Sequence, residues 1–139
     1  MNIQKCGIIG CGGVGATIAY TLMQSGLFNE MVLIDANRKR AEGEALDIGH
    51  GVPFTRPVSV YAGDYADLED AYLVIIAAGA NQAPGETRLD LVSKNARIFK
   101  AIVPEVAKVN RSCILLVVTN PVDLSLIHIS EPTRRRGIS

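Results

Sequence analysis

The chain has 139 residues, 48% of them hydrophobic and 20% charged, which is the composition of one ordinary globular domain and not of a disordered segment. Lysine plus arginine equals aspartate plus glutamate at 14 each, so no large basic surface is available for nucleic acid or an anionic membrane. A small-molecule ligand is the expectation that remains.

Cys6, Cys11 and Cys113 form no CxxC pair and have no histidine at a zinc-ligand spacing. Neither a disulfide framework nor a metal site is suggested, and reduced thiols are expected. The N-terminus, Met1 to Lys5, leads straight into a short apolar stretch without the features of a signal peptide. No apolar run is long enough to span a bilayer, so a cytoplasmic location is expected.

The first apolar run, residues 6–9, reads as a strand. Val14, Ile18 and Leu22 then recur every four residues, with Gly26 as a C-cap, and predict a helix. A second strand is expected at 31–34 and a weaker helix at 41–48. Residues 58–61 alternate in polarity and fit a strand nearer the sheet edge, whereas 73–78 and 114–118 are continuously apolar, as strands buried on both faces are. Between these two, Leu89, Val92, Ala96, Phe99, Val103 and Val106 mark a long amphipathic helix. Thr87 and Asp90 form a capping box that starts it at Arg88, and Pro104 should bend or break it. Alternating strands and helices predict an α/β fold, a Rossmann-type doubly wound parallel sheet ending after its fifth strand.

Residues 124–139 change character abruptly and resemble the translation of a sequencing adapter. They are expected to be a disordered tail outside a domain of residues 1–123. A natural basic end carrying Arg134, Arg135 and Arg136 is the alternative.

The chemistry is concentrated at the ends of strands. Gly10, Gly12 and Gly15 form a GxGxxG run between the first strand and first helix. Gly10 permits the tight turn, Gly12 lets a pyrophosphate approach the backbone, and Gly15 lets helix and strand pack closely. The helix N-terminus then offers free N–H groups to the phosphates. Asp35 ends the second strand twenty residues beyond Gly15, where an acid accepts hydrogen bonds from the adenosine ribose hydroxyls. Its charge repels a 2′-phosphate and favours NAD over NADP, a preference softened by the neighbouring Arg38, Lys39 and Arg40. Residues 79–88 after the fourth strand have the glycines of a mobile lid. There Arg88 stands in the first turn of a helix, where a cation opposes the helix dipole; an anionic or carbonyl-bearing ligand explains it, as does pairing with Glu86 or Asp90. Asn120, followed by proline, closes the fifth strand, and all four features fall on one rim of the sheet.

The segments GCGGVG (10–15), IDA (34–36), EGEALDIGHGVPF (42–54), GDY (63–65), AAGANQAPGETRLDLV (77–92) and VTNPVD (118–123) together resemble the lactate and malate dehydrogenase family, most closely its bacterial L-lactate dehydrogenase branch. The resemblance implies NAD contacts at Val14, Asp35, Arg40, Tyr65, Gly79, Ala80, Val118, Thr119 and Asn120, beside the glycine run. It implies that Arg88 polarises a substrate carbonyl, with Gln82, Asn120 and Asp123 on the substrate side. The implied substrate is a small 2-hydroxy or 2-oxo acid and the implied assembly of the intact enzyme is a homotetramer.

Gln82, at the family's specificity position, is neutral. A second substrate carboxylate would call for arginine there, so lactate is favoured over malate, with a bulkier 2-hydroxy acid left open. Ala83 stands where close relatives carry lysine. The family's acid–base histidine, its orienting aspartate and a carboxylate-holding arginine have no counterpart here, because His50 and His128 lie outside the family's histidine setting. The expectation is a chain that binds NAD without turnover. A non-catalytic nucleotide-binding fragment and a parent enzyme for malate or a bulkier acid are the alternatives.

Overall fold

In the computed structural model of the chain, residues 1–51, 56–79 and 83–118 are described. Their elements run β1 (Asn2–Ile9), α1 (Gly13–Ser25), β2 (Glu30–Ile34), α2 (Arg38–Gly49), β3 (Ser59–Ala62), a short 3-10 helix (Tyr65–Leu68), β4 (Ala71–Ile76), α3 (Arg88–Val109) and β5 (Ile114–Val117). Ala80, Gln82, Thr119, Asn120, Asp123 and the tail 124–139, all named above, lie outside the described residues.

The strands make one parallel sheet in the order β3-β2-β1-β4-β5. The chain builds outward from β1 on one side and then returns to build on the other, which is the doubly wound topology expected, with β3 at an edge. Ile9 pairs with Ile34 and Ile76, and Ile76 with Val117, so four strands end in one row and release their loops along a single rim.

Both faces of the sheet are covered. Ala19 and Met23 of α1 and Ala41, Ala45 and Ile48 of α2 pack on Cys6, Ile8, Met31, Leu33 and Ile75. Phe99, Ile102 and Val106 of α3 pack on Ile9, Val32, Ile34, Val74 and Ile76. Two-sided burial is why β1, β2 and β4 read as continuous apolar runs.

Several elements differ from the sequence reading. The face of α1 that meets the sheet is Gly15, Ala19 and Met23; Val14 is exposed and Ile18 and Leu22 are only half-buried. Small side chains let the helix approach the strands, whereas hydrophobicity alone favours the branched ones. α2 starts at Arg38 because the Asn37 side chain caps it, accepting from the Arg40 N–H at 3.3 Å. α3 begins at Arg88 with the Thr87/Asp90 box, as expected, but runs unbroken through Pro104. Pro104 and Lys100 are both exposed, so solvent can reach the Lys100 carbonyl that proline leaves without an intrahelical donor. α3 buries Asn95, Phe99, Ile102 and Val106, while Leu89 is exposed. β5 is not buried as expected: Ile114, Leu115 and Leu116 are 50, 41 and 47% exposed. It is the edge strand among the described residues, beyond the cover of the helices.

Two polar devices fasten the end of the sheet away from the rim. The buried Asn110 side chain donates to the carbonyls of Leu68 and Ala71, both at 2.8 Å, and accepts from the Ser112 and Cys113 N–H groups, both at 3.0 Å. It ties the end of α3 to the start of β4. Lys5, buried in β1, reaches Asp70 at 2.6 Å and Glu30 at 3.2 Å, and the Tyr61 hydroxyl donates to Glu30 at 2.5 Å. Burial works against the Lys5 charge, but hydrogen bonds to Asp70 and Glu30 outweigh it and hold the ammonium above its ordinary 10.5. The Lys5 hydrogen bond holds the Asp70 carboxyl below its ordinary 3.8.

Asn110→Ala leaves two carbonyls and two N–H groups without partners and should cost about 2–3 kcal/mol in urea unfolding; a loss under about 0.5 kcal/mol would contradict this role. A depressed Asp70 adds stability above pH 3.8 that is lost as pH falls through its folded value, and a raised Lys5 adds stability below pH 10.5 that is lost as pH rises further. Asp70→Asn should therefore flatten the acid limb of the urea midpoint against pH. An unchanged acid limb would show that the pair is not coupled to folding.

Candidate nucleotide-binding site

The turn out of β1 is set by two glycines. Gly10 has φ +100°, and a Cβ there would meet the Ala78 backbone nitrogen at 2.4 Å. A Cβ at Gly15 would lie 1.8 Å from the Gly10 carbonyl oxygen, so α1 can sit this close to β1 only without a side chain. Gly12 and Gly13 differ: a Cβ at either meets nothing within 4 Å. Open space therefore lies over the start of α1, whose N-cap, Gly12, has no side chain to satisfy the first-turn N–H groups.

Asp35 joins this loop to β2. Its Oδ2 accepts from the Cys11 N–H at 2.7 Å, and its Oδ1 from the Asn37 N–H at 2.8 Å. One carboxylate thus fixes the glycine loop and the entry to α2, a positioning role the sequence reading did not foresee. The Cys11 side chain is buried beside it. Burial, then the charges of Asp35 and Glu44, push the thiol up to about 12 against the pull of Arg40, so it stays protonated and unreactive at neutral pH.

These residues surround a cavity of about 580 Å³ at the rim. Gly10, Gly12, Val14, Asp35, Arg40, Tyr65 and Gly79, all singled out in the sequence, line it together. Gly15 lies beneath it as packing. Val118 does not line it and packs with the cluster on the α1 and α2 side. One wall was missed: Ile98, Ala101 and Ile102 of α3 form an apolar side. The signal was the spacing of three between residues 98 and 101, which had been subsumed in a stripe centred one position away.

At the other end of the rim, Arg88 is exposed at the start of α3. Its two neighbouring acids are engaged elsewhere. Glu86 accepts from the Lys94 ammonium and the Ala83 N–H, both at 2.5 Å, and Asp90 accepts from the Thr87 N–H at 3.0 Å. Neither acid pairs with Arg88, so the purely structural explanation for that cation does not hold among the described residues. The Ala83 to Glu86 segment is a turn, closed by Glu86 N–H donating to the Ala83 carbonyl at 3.0 Å.

A sequence profile described as the lactate/malate dehydrogenase NAD binding domain matches residues 4–135. The chain belongs to the lactate/malate dehydrogenase family. Over 122 residues it is 58% identical to the L-lactate dehydrogenase of Acetivibrio thermocellus, covering 88% of this chain and 38% of that protein. The L-lactate dehydrogenase of Thermoanaerobacter pseudethanolicus is 59% identical over 122 residues, 88% of this chain and 39% of its own length. Among solved structures, the minor L-lactate dehydrogenase of Enterococcus mundtii in a ligand-bound form superposes with a TM-score of 0.84 at 46% identity, over 90% of this chain and 41% of that one. A malate dehydrogenase from Archaeoglobus fulgidus in complex with NADH gives 0.81 at 34% identity, over 91% and 45%. The chain thus spans about two fifths of the length of these relatives.

The matched part is the family's NAD-binding domain, and the cavity fits that cofactor on its own terms. Open space over uncapped amides suits a pyrophosphate, an acid at the end of β2 suits ribose hydroxyls, and an apolar wall suits a planar base. The two open and closed glycines separate binding from folding. Gly12→Ala should leave the unfolding midpoint nearly unchanged and lower NADH affinity at least about tenfold, because its methyl occupies space only a ligand needs. Gly15→Ala should lower stability by about 3 kcal/mol or prevent folding. Equal effects in the two variants would contradict the assignment.

Proposed function

We propose that the chain is the cofactor-binding part of an L-lactate dehydrogenase-type oxidoreductase, whose whole protein interconverts (S)-lactate and pyruvate with NAD. The observation that carries this reading is the convergence of the glycine loop, Asp35 and Arg40 on one cavity. NAD, when bound, supplies the nicotinamide carbon that accepts or returns a hydride. The amides around Gly12 to Val14 would hold its pyrophosphate, Asp35 its adenosine ribose, and Tyr65, Gly79 and Ala80 would border it, with Val118, Thr119 and Asn120 beyond.

The substrate side rests on Arg88, Gln82, Asn120 and Asp123. Arg88 has no ionic partner among the described residues, which leaves it available to polarise a carbonyl. Gln82 is neutral, which favours the methyl of pyruvate over a second carboxylate. The 41–59% identity to lactate dehydrogenases, against 34% for the malate dehydrogenase, supports the same substrate.

His50 does not supply the acid–base group. α2 starts at the rim after β2 and runs back along the sheet, and His50 is its exposed C-cap, at the opposite end. The polypeptide of residues 1–139 is therefore read as binding NAD without appreciable turnover. For the whole protein the reading includes a homotetramer, the cytoplasm and no nucleic-acid or membrane partner. Within residues 1–139 the charge is balanced, and no described helix is long and apolar enough to cross a membrane.

Calorimetric titration with NADH and NADPH, run beside a pyruvate-dependent NADH oxidation assay, tests this. NADH should bind, NADPH more weakly, and turnover should fall at least about 10²- to 10⁴-fold below that of an intact relative, the share that general acid–base catalysis supplies. Turnover at the intact enzyme's rate would overturn the view of the catalytic base. A folded chain that ignores NADH would overturn the cofactor.

A further inference from the structure

An acid stands two residues from Arg88 on either side, and the structure engages both of them elsewhere. Glu86 has both carboxylate oxygens in use: Oε1 accepts from the Ala83 N–H at 2.5 Å and Oε2 meets the Lys94 ammonium at 2.5 Å. Asp90 is folded back onto the N-cap, its Oδ2 accepting from the Thr87 N–H at 3.0 Å while its own N–H donates to the Thr87 hydroxyl at 3.1 Å. The two arrangements differ in kind. The Thr87/Asp90 box is the ordinary closure of a helix start and needs no other charge. Glu86 lies ahead of the helix, and the cation that offsets it is Lys94 in the second turn of α3. One lysine thereby serves both acids, because its charge is also felt at Asp90, four positions earlier on the same face of the helix. Arg88 makes no hydrogen bond or ion pair among the described residues.

Resting on the reading of Arg88 as the residue that polarises the substrate carbonyl, we propose that Lys94 is a positioning residue for it: by holding Glu86, Lys94 keeps the Arg88 guanidinium free of an internal carboxylate. Lys94 itself does not line the cavity and need not reach a ligand. Without it, Glu86 keeps one backbone donor and no cation, and Arg88 is the cation two residues along the chain. A guanidinium takes a carboxylate through two parallel N–H bonds. Such a pair would occupy the donors that a carbonyl oxygen gaining negative charge requires. Glu86 is a real competitor, since the Lys94 hydrogen bond, and then the Ala83 N–H, hold its carboxyl below its ordinary 4.5 and keep it ionised at neutral pH.

The test reads Arg88 directly, as the rate at which phenylglyoxal modifies it in the full chain, followed by mass spectrometry. The reagent attacks the neutral guanidine, which an adjoining carboxylate suppresses by favouring the charged form. Arg38, paired with Glu42 and Asp64, is the slow internal reference, and Arg88 should react faster than it. Lys94→Gln should slow Arg88 about threefold, the effect of gaining one exposed ion pair. Glu86→Gln added to that variant should restore the rate, and Lys94→Arg in the otherwise unaltered chain should preserve it. A lysine that only braced the turn would give a change that Glu86→Gln does not reverse. Circular dichroism establishes folding; if Lys94→Gln does not fold, Lys94→Met is read in the same way, and Glu86→Gln alone should leave Arg88 at its original rate. An Arg88 rate indifferent to Lys94, a loss that Glu86→Gln fails to reverse, or a faster Arg88 on Glu86→Gln alone overturns the proposal. Rates that behave as stated in a folded chain that ignores NADH would instead overturn the functional reading and leave the ion-pair arrangement standing.

Discussion

The hydrogen bond from the Cys11 N–H to the Asp35 carboxylate, at 2.7 Å, is the contact on which the rest of the site depends. It joins the loop after β1 to the end of β2 at the point where two parallel strands stop in register. With it in place, Gly10 can hold its left-handed turn against Ala78, and Gly15 can bring α1 down onto the Gly10 carbonyl. Uncapped amides and a carboxylate then face one cavity. Without it, the loop would keep its glycines and lose the conformation that makes them useful, because glycine contributes freedom and no restraint.

The sheet is divided by what its polar groups do. At the end away from the rim, Lys5, Glu30, Asp70 and Tyr61 satisfy one another, and Asn110 uses both ends of its amide on backbone groups. Those groups hold the fold and leave nothing for a ligand. At the rim, donors are left without partners among the described residues: the first turn of α1 and the guanidinia of Arg40 and Arg88. The acids nearest Arg88 are taken by Lys94, Ala83 and Thr87, an arrangement that keeps a cation unneutralised in the first turn of a helix at some electrostatic cost. Asp35 stands in both categories, since it fastens the backbone and also faces the cavity.

Much of this was legible in the residues. The glycine spacing, Asp35, the Gly26 C-cap and the Thr87/Asp90 box each depend on local backbone chemistry, which a short stretch of sequence fully specifies. The doubly wound order followed from alternating strands and helices. What was missed depends on the approach of distant segments. Lys5 reads as a solvated residue ahead of a strand until Glu30 and Asp70 are brought to it from 25 and 65 positions away. The buried face of α1 is chosen by how closely a helix can approach a strand, so Gly15 and Ala19 take the place expected of Val14 and Ile18. The apolar wall of Ile98, Ala101 and Ile102 is defined by the cavity opposite, and a helical stripe alone does not reveal which of its edges faces a ligand. β5 looks buried by composition and is exposed by position.

The most direct measurement is residue-resolved amide hydrogen exchange with and without NADH. The account predicts that the Cys11 amide, bonded to Asp35, is protected in the free chain to nearly the level of β1, while the Gly13 and Val14 amides exchange freely and slow only when NADH is added. A Cys11 amide that exchanges as fast as those of Gly13 and Val14 in the free chain would contradict it, because the loop would then have no clamp and the cavity no fixed floor.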